Sequence, residues 1–147
     1  MTTIAWDGSM LAVDRLACMG GTKRKVKKLH DCGDYAYAGA GNYAATFEVA
    51  EWLRNGAKPD ARPTFEKDED PQGIAIHLPT GKAFMVEGRK QFLIPVDAPH
   101  AEGTGRDAAL AAMWCGRSAA EAVAIASEID VSTGGGVDLV CVGGKEA

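Results

Sequence analysis

Met1-Thr2-Thr3-Ile4-Ala5-Trp6, Asp7-Gly8 and Met10-Leu11-Ala12-Val13-Asp14 form the stretch that sets the fold. Two short apolar runs flank an Asp-Gly pair suited to the positive backbone angles of a type I′ turn. Residues 3–6 and 10–14 are therefore predicted as a β-hairpin that opens the chain. The threonine behind the methionine also carries chemistry. Once Met1 is removed, the Thr2 hydroxyl is a nucleophile, and its own α-amine, with a reference pKa of about 8, can take the hydroxyl proton directly or through one water. No distant histidine is then needed. Proteins also begin Met-Thr by chance, so the remaining sequence has to decide between the two.

At 147 residues the chain is long enough for one domain with a proper core and too short for two ordinary ones, so 1–147 is read as a single domain. Its 46% hydrophobic and 24% charged residues, with 18 glycines, describe a soluble globular protein rich in tight turns. A net charge of -4 argues against a general polyanion binder. The basic run Lys23 to Lys28 lacks interleaved aromatic residues, so no nucleic-acid partner is expected. There is no apolar run of membrane-spanning length and no signal-peptide pattern, which predicts a cytoplasmic protein with no membrane partner. Cys18, Cys32, Cys115 and Cys141 are scattered, without a Cys-x-x-Cys pair or a histidine at ligand spacing. Neither a metal site nor a redox motif is supported, and the cysteines are expected to be reduced and mostly buried.

Further along, a Gly20-Gly21 loop leads into a basic strand over Lys23 to His30, a turn at Asp31 to Asp34, and a strand over Tyr35 to Ala40. Asn42 is a plausible N-cap, and Ala45, Val49, Trp52 and Leu53 make one apolar stripe on a helix that ends at Gly56. Residues 57–72 hold three prolines and the run Glu66-Lys67-Asp68-Glu69-Asp70, and read as a surface loop where disorder is expected. Strands follow over 74–78, 83–87 and 91–96. A helix is expected from Gly105 to Trp114, and another from the capping box Ser118-Ala119-Ala120-Glu121 to Ile129. Val137 to Val142 closes the chain as a strand. Hairpins, a helix, more hairpins and a helical pair predict an α+β fold in four layers, α/β/β/α, with two antiparallel sheets between helices.

Taken in order, Thr2-Thr-Ile-Ala, Leu11-Ala-Val-Asp14, Val26-Lys-Lys28-Leu29, Tyr37-Ala-Gly39-Ala-Gly41, Gly103-Thr-Gly105 and Asp130-Val-Ser-Thr133-Gly134 resemble the N-terminal-threonine peptidases. These are the HslV peptidase and proteasome β-subunits, within the N-terminal nucleophile (Ntn) hydrolases. The resemblance covers most of the chain; its short form is reminiscent of HslV-like proteins of bacteriophages and bacteria. It implies a threonine endopeptidase acting through Thr2 on peptide or unfolded-protein substrates, with no metal or organic cofactor. It also implies a homo-oligomer, a ring among the options, and an ATP-dependent unfoldase as a partner.

The resemblance implies a role for each matching residue. Lys28 matches the active-site lysine, whose positive charge favours ionisation of the hydroxyl and a neutral amine. Strand alternation puts Lys28 on one face with Val26 and His30, which permits an inward side chain, while a solvated basic strand is the other reading. Asp14 matches the lysine's carboxylate partner, since a buried unpaired charge is costly; by itself it also reads as a strand-ending turn residue. The backbone N–H of Gly39 matches the oxyanion donor. Thr104 replaces a serine, and Asp130 and Thr133 match residues that hydrogen-bond around the nucleophile's amine; alone, Thr104 reads as an N-cap and Asp130 as a helix end. Extended substrate would pair with main chain near Cys18 and Gly39. Ala40, Gly41, Tyr43 and Ala45 would border a moderately apolar pocket. Two departures stand out: a tighter first hairpin, and residues 57–72 in place of the second helix of the first helical layer, which bears on ring size and on unfoldase docking. A catalytically silent, structural subunit is therefore the alternative.

Overall fold

The structure is a computed structural model that describes residues 2–88 and 92–142; Met1 and Gln91 lie outside them. Strands β1 (Thr3–Trp6) and β2 (Met10–Asp14) form the opening hairpin, with Ile4 opposite Val13 and Trp6 opposite Leu11. Side-chain alternation divides this hairpin between two layers. Ile4, Trp6, Leu11 and Val13 enter one apolar cluster, whereas Ala5 and Ala12 enter another. The turn differs from expectation. Its central residues are Gly8 and Ser9, and of the two only Gly8 has positive φ (104°), as in a type II′ turn. Asp7 flanks the turn instead: its Oδ1 accepts from the Met10 N–H at 2.7 Å and its Oδ2 from the Ala119 N–H at 2.8 Å.

The basic segment is two strands, not one. β3 (Leu16–Met19) and β4 (Thr22–Lys25) make a separate two-stranded hairpin around Gly20-Gly21, and β5 (Leu29–Cys32) begins in another sheet. Residues 26–28 bridge them. β6 (Tyr35–Ala40) leads to helix α1 (Tyr43–Arg54), capped by Asn42, whose side chain accepts from the Ala45 N–H at 2.9 Å. Ala45, Val49, Trp52 and Leu53 of the expected stripe are all buried. After β7 (Gln72–His77), β8 (Lys82–Glu87) and β9 (Phe92–Pro95), an unexpected strand β10 (His100–Gly103) pairs with β1. It carries no β-branched residue, which is why its strand character is invisible in the sequence. Helices α2 (Arg106–Trp114) and α3 (Ala119–Ile129) and strand β11 (Val137–Cys141) complete the chain.

The sheets run β10-β1-β2-β11 and β5-β6-β7-β8-β9, with every pairing antiparallel. They face each other across Ile4, Leu11, Val13, Ala38, Ile74 and Ile76. α2 and α3 cover the first sheet through an alanine-rich cluster, and α1 covers the second through Tyr37, Val49, Trp52 and Leu53. The architecture is the predicted four-layer sandwich, with a single helix in its first helical layer. Residues 57–71 are anchored, not loose. The Trp52 Nε1–H donates to the Lys58 carbonyl at 2.8 Å, Pro71 is fully buried, and Ala57 and Phe65 pack on the α1 cluster. All four cysteines are free, and only Cys32 is buried, with its thiol pushed up to about 11 by burial. Cys18, Cys115 and Cys141 are exposed because they sit on the separate hairpin, a helix C-cap and a sheet-edge strand.

Ile74→Ala, in the inter-sheet core, should cost about 2–5 kcal/mol, while Ile129→Ala, two-thirds exposed on α3, should stay within about 0.5 kcal/mol. Urea unfolding of both variants checks the layer assignment.

Candidate active site

The alternation that sends Ile4 and Trp6 between the sheets carries on back to Thr2, which is 6% exposed. Its hydroxyl meets Lys28, whose Nζ donates to Thr2 Oγ1 at 3.1 Å and to Asp14 Oδ1 at 2.9 Å. Lys23, Arg24, Lys25 and Lys27 are exposed, whereas Lys28 is 5% exposed, so the basic run buries one member only. The burial follows from the break between β4 and β5, because Lys28 is the last residue before β5 sets off in the other sheet. β5 is itself held on α1 by His30, whose ring meets Phe47 edge-on at 4.8 Å.

Asp14 is fully buried and its carboxylate is a hub. Oδ1 also accepts from the Thr3 N–H (3.1 Å), and Oδ2 accepts from the N–H groups of Leu16 (3.3 Å) and Gly134 (3.0 Å). Burial pushes the Lys28 ammonium below its ordinary range, and the neighbouring Asp14 carboxylate works against that shift. The result is a cation beside the Thr2 hydroxyl with its position fixed by a carboxylate.

A second network lies on the other side of β1. The Thr104 and Thr133 hydroxyls both donate to Asp130 Oδ2 at 2.6 Å, and Thr133 Oγ1 is 2.7 Å from Thr3 Oγ1. Partial burial disfavours the Asp130 charge, but hydrogen bonds from Thr104, Thr133 and the Ser132 N–H outweigh it and hold the carboxyl below its usual range. This network reaches Thr2 through its carbonyl, which accepts from the Gly105 N–H at 3.4 Å, with Thr104 Oγ1 at 3.5 Å. Gly39 lies one residue before the end of β6, and its N–H donates to the Lys28 carbonyl at 3.0 Å. The Gly39 Cα also abuts α1, since a Cβ there would lie 2.8 Å from Thr46 Cβ.

A cleft of about 210 Å³ opens beside Thr2. Cys18, Ala40, Gly41 and Tyr43 line it; Ala45 of α1 does not, and Thr46 one residue on takes that place. Ala17, Met19 and Val26 complete a mostly apolar wall. Sequence reasoning missed Thr3 and the tight fit of Gly103 and Gly105. A Cβ on Gly103 would lie 2.0 Å from the Thr2 carbonyl oxygen, and one on Gly105 would lie 2.0 Å from Thr3 Oγ1. The Gly-x-Gly spacing was the available signal, but only the packed loop shows what it clears. Among the described residues no group of His, Cys, Asp and Glu could hold a metal ion, and no helix is long and apolar enough to cross a membrane.

Asp14→Ala should cost about 3–5 kcal/mol, since it leaves Lys28 buried without its carboxylate. Adding Lys28→Met to that variant should recover much of the loss, because the buried charge is gone. Thermal unfolding of the single and double variants reads the difference, and a double variant no more stable than the single one would contradict the pairing.

No protein-family model and no curated protein matches the sequence. Solved structures do match the backbone. Eukaryotic HslV from Trypanosoma brucei aligns with a TM-score of 0.71 at 21% identity, covering 96% of this chain and 98% of that one. Thiobacillus denitrificans BPH in complex with epoxomicin gives 0.67 at 17% identity, covering 96% and 97%; BPH by itself gives 0.66 at 17%, covering 96% of each chain. Over nearly its full described length, the chain has the fold of HslV and BPH, the Ntn-hydrolase fold.

Proposed function

We propose that the chain is a threonine-type peptidase that cleaves peptide bonds through Thr2, once Met1 is removed. The observation that carries this reading is the buried Lys28 Nζ placed 3.1 Å from the Thr2 hydroxyl and tied to Asp14. Thr2 Oγ1 attacks the substrate carbonyl carbon while the Thr2 α-amine takes its proton, directly or through a water. The amine then protonates the leaving nitrogen, and water cleaves the ester that links substrate to Thr2. Lys28 stabilises negative charge on the hydroxyl oxygen and disfavours protonation of the amine. The Gly39 N–H would hold the oxyanion, with its bond to the Lys28 carbonyl giving way. Thr3, Thr104, Asp130 and Thr133 act as positioning residues that fix the backbone on either side of the nucleophile. Nucleophile, base and charge all come from the chain, so the reaction requires no cofactor. Peptide or unfolded-protein substrates, a homo-oligomeric ring and an ATP-dependent unfoldase belong to this reading as further proposals.

The engaged Gly39 N–H favours a second reading, a catalytically silent structural subunit. Intact-mass spectrometry before and after exposure to a peptide epoxyketone separates the two, because that ring adduct needs both a free amine and a hydroxyl on the first residue. The peptidase reading expects loss of Met1 and gain of one adduct; retained Met1 would defeat it. Thr2→Ala should abolish turnover and adduct formation with unfolding unchanged. Turnover should rise with pH as the Thr2 amine, whose reference value is about 8, loses its proton. It should fall again below the ordinary lysine value of 10.5, since burial lowers the pKa at which Lys28 loses its charge. A pH profile of kcat/KM in wild type and Lys28→Met checks both limbs.

A further inference from the structure

The hairpin that walls one side of the cleft carries an unusual density of positive charge. Lys23, Arg24 and Lys25 of β4, with Lys27 beyond it, are all exposed, on a chain whose net charge is -4. Among the described residues none of the four makes an ion pair. Such charges cost little in water, yet four together set a positive local potential that a neutral or basic ligand would not use.

Register fixes where that charge points. Cys18 pairs with Lys23 and Leu16 with Lys25, so these four side chains share one face of the hairpin, while Ala17 pairs with Arg24 on the other. Ala17, Cys18 and Met19 of β3 line the cleft beside Thr2. An extended peptide added along β3 would lie two strand spacings, about 9.6 Å, from β4. Cys18 is small, so the long stem of Lys23 can pass over β3, and that of Lys25 can run along the Leu16 side chain on the same face, bringing their ammonium groups toward the side chains of the added strand. The far side of the hairpin is concave: a groove of about 420 Å³ separates β4 from the loop that follows α3. The acid in that groove, Asp130, is already engaged by Thr104, Thr133 and the Ser132 N–H. It keeps its charge, but it is one acid facing Lys23, Arg24 and Lys25 in the same groove and pairs with none of them, so the hairpin stays net positive.

We propose that the β3–β4 hairpin selects acidic peptides, with Lys23 and Lys25 pairing with aspartate or glutamate side chains of an extended substrate seated beside Thr2. This rests on the peptidase reading, and it names a substrate class that the apolar cleft alone does not. Each pair is partly solvated, so the preference should be modest and should vanish in salt.

The test is binding of two matched fluorescent peptides, one with aspartates where the other has asparagines, to the full chain carrying Thr2→Ala, read by anisotropy. The acidic peptide should bind about tenfold tighter at low salt, and the two should converge at about 1 M salt, where the screening length is about 3 Å. Lys23→Gln with Lys25→Gln should erase the difference, and Lys23→Glu with Lys25→Glu should invert it. Equal affinities, a preference that survives in salt or in these variants, or no binding of either peptide would overturn the proposal. So would equally tight binding of a single-stranded oligonucleotide of the same charge, which would show indiscriminate anion binding. Turnover of the asparagine peptide by the unmutated chain is scored separately. Turnover with equal binding removes this inference and keeps the peptidase, whereas selective binding without turnover does the reverse.

Discussion

Asp14 and Lys28 are both withdrawn from water, and the rest of the molecule is arranged around that fact. A buried lysine would be untenable alone, since desolvating one charge costs more than a typical core contact returns. The carboxylate offsets this with a 2.9 Å contact, and backbone N–H groups of Thr3, Leu16 and Gly134 hold the carboxylate. Those donors come from β1, β3 and the loop before β11, while Asp14 ends β2 and Lys28 precedes β5. One ion pair thus ties both sheets and the separate hairpin at the point where the chain begins. A buried polar network of this kind is stabilising only when every member is satisfied, which makes it a constraint on geometry as much as a source of stability.

Close packing supplies the other half of that constraint. α2 and α3 approach the first sheet across Ala5, Ala12, Ala109, Ala119, Ala122 and Ala126, small enough to let backbone come near backbone. Gly103 and Gly105 then fold against the Thr2 carbonyl and the Thr3 hydroxyl, where any Cβ would collide. Thr2 is consequently gripped from the helical side by backbone and hydroxyls, and approached from the inter-sheet side by Lys28.

Much of this was legible in the residues. The opening hairpin, the Asn42 cap, the stripe Ala45–Val49–Trp52–Leu53 and the Ser118–Glu121 capping box rest on local periodicity and hydrogen bonding, and they appear where the pattern put them. The misses have a common physical source. β10 is recognisable only by its pairing with β1, and the division of the basic run into β4 and β5 depends on which sheet each half joins. Ala45 belonged to the helix stripe as expected, but it is Thr46, the next residue round the helix, that turns to the cleft. Propensity and alternation do not register a change of partner.

The fold class and the helix limits could be read along the chain, and the resemblance to N-terminal-threonine peptidases brought Thr2, Asp14 and Lys28 into consideration. The helices and hairpins follow from contacts within a few residues of each other, which composition and spacing encode directly. It takes the folded arrangement to show which of five neighbouring basic residues is buried, that Thr3 joins a hydroxyl chain to Asp130 through Thr133, and that the Gly39 N–H already serves the Lys28 carbonyl. Each of those outcomes depends on groups far apart in the chain competing for the same space or the same hydrogen bond, and that competition is settled only when the layers close.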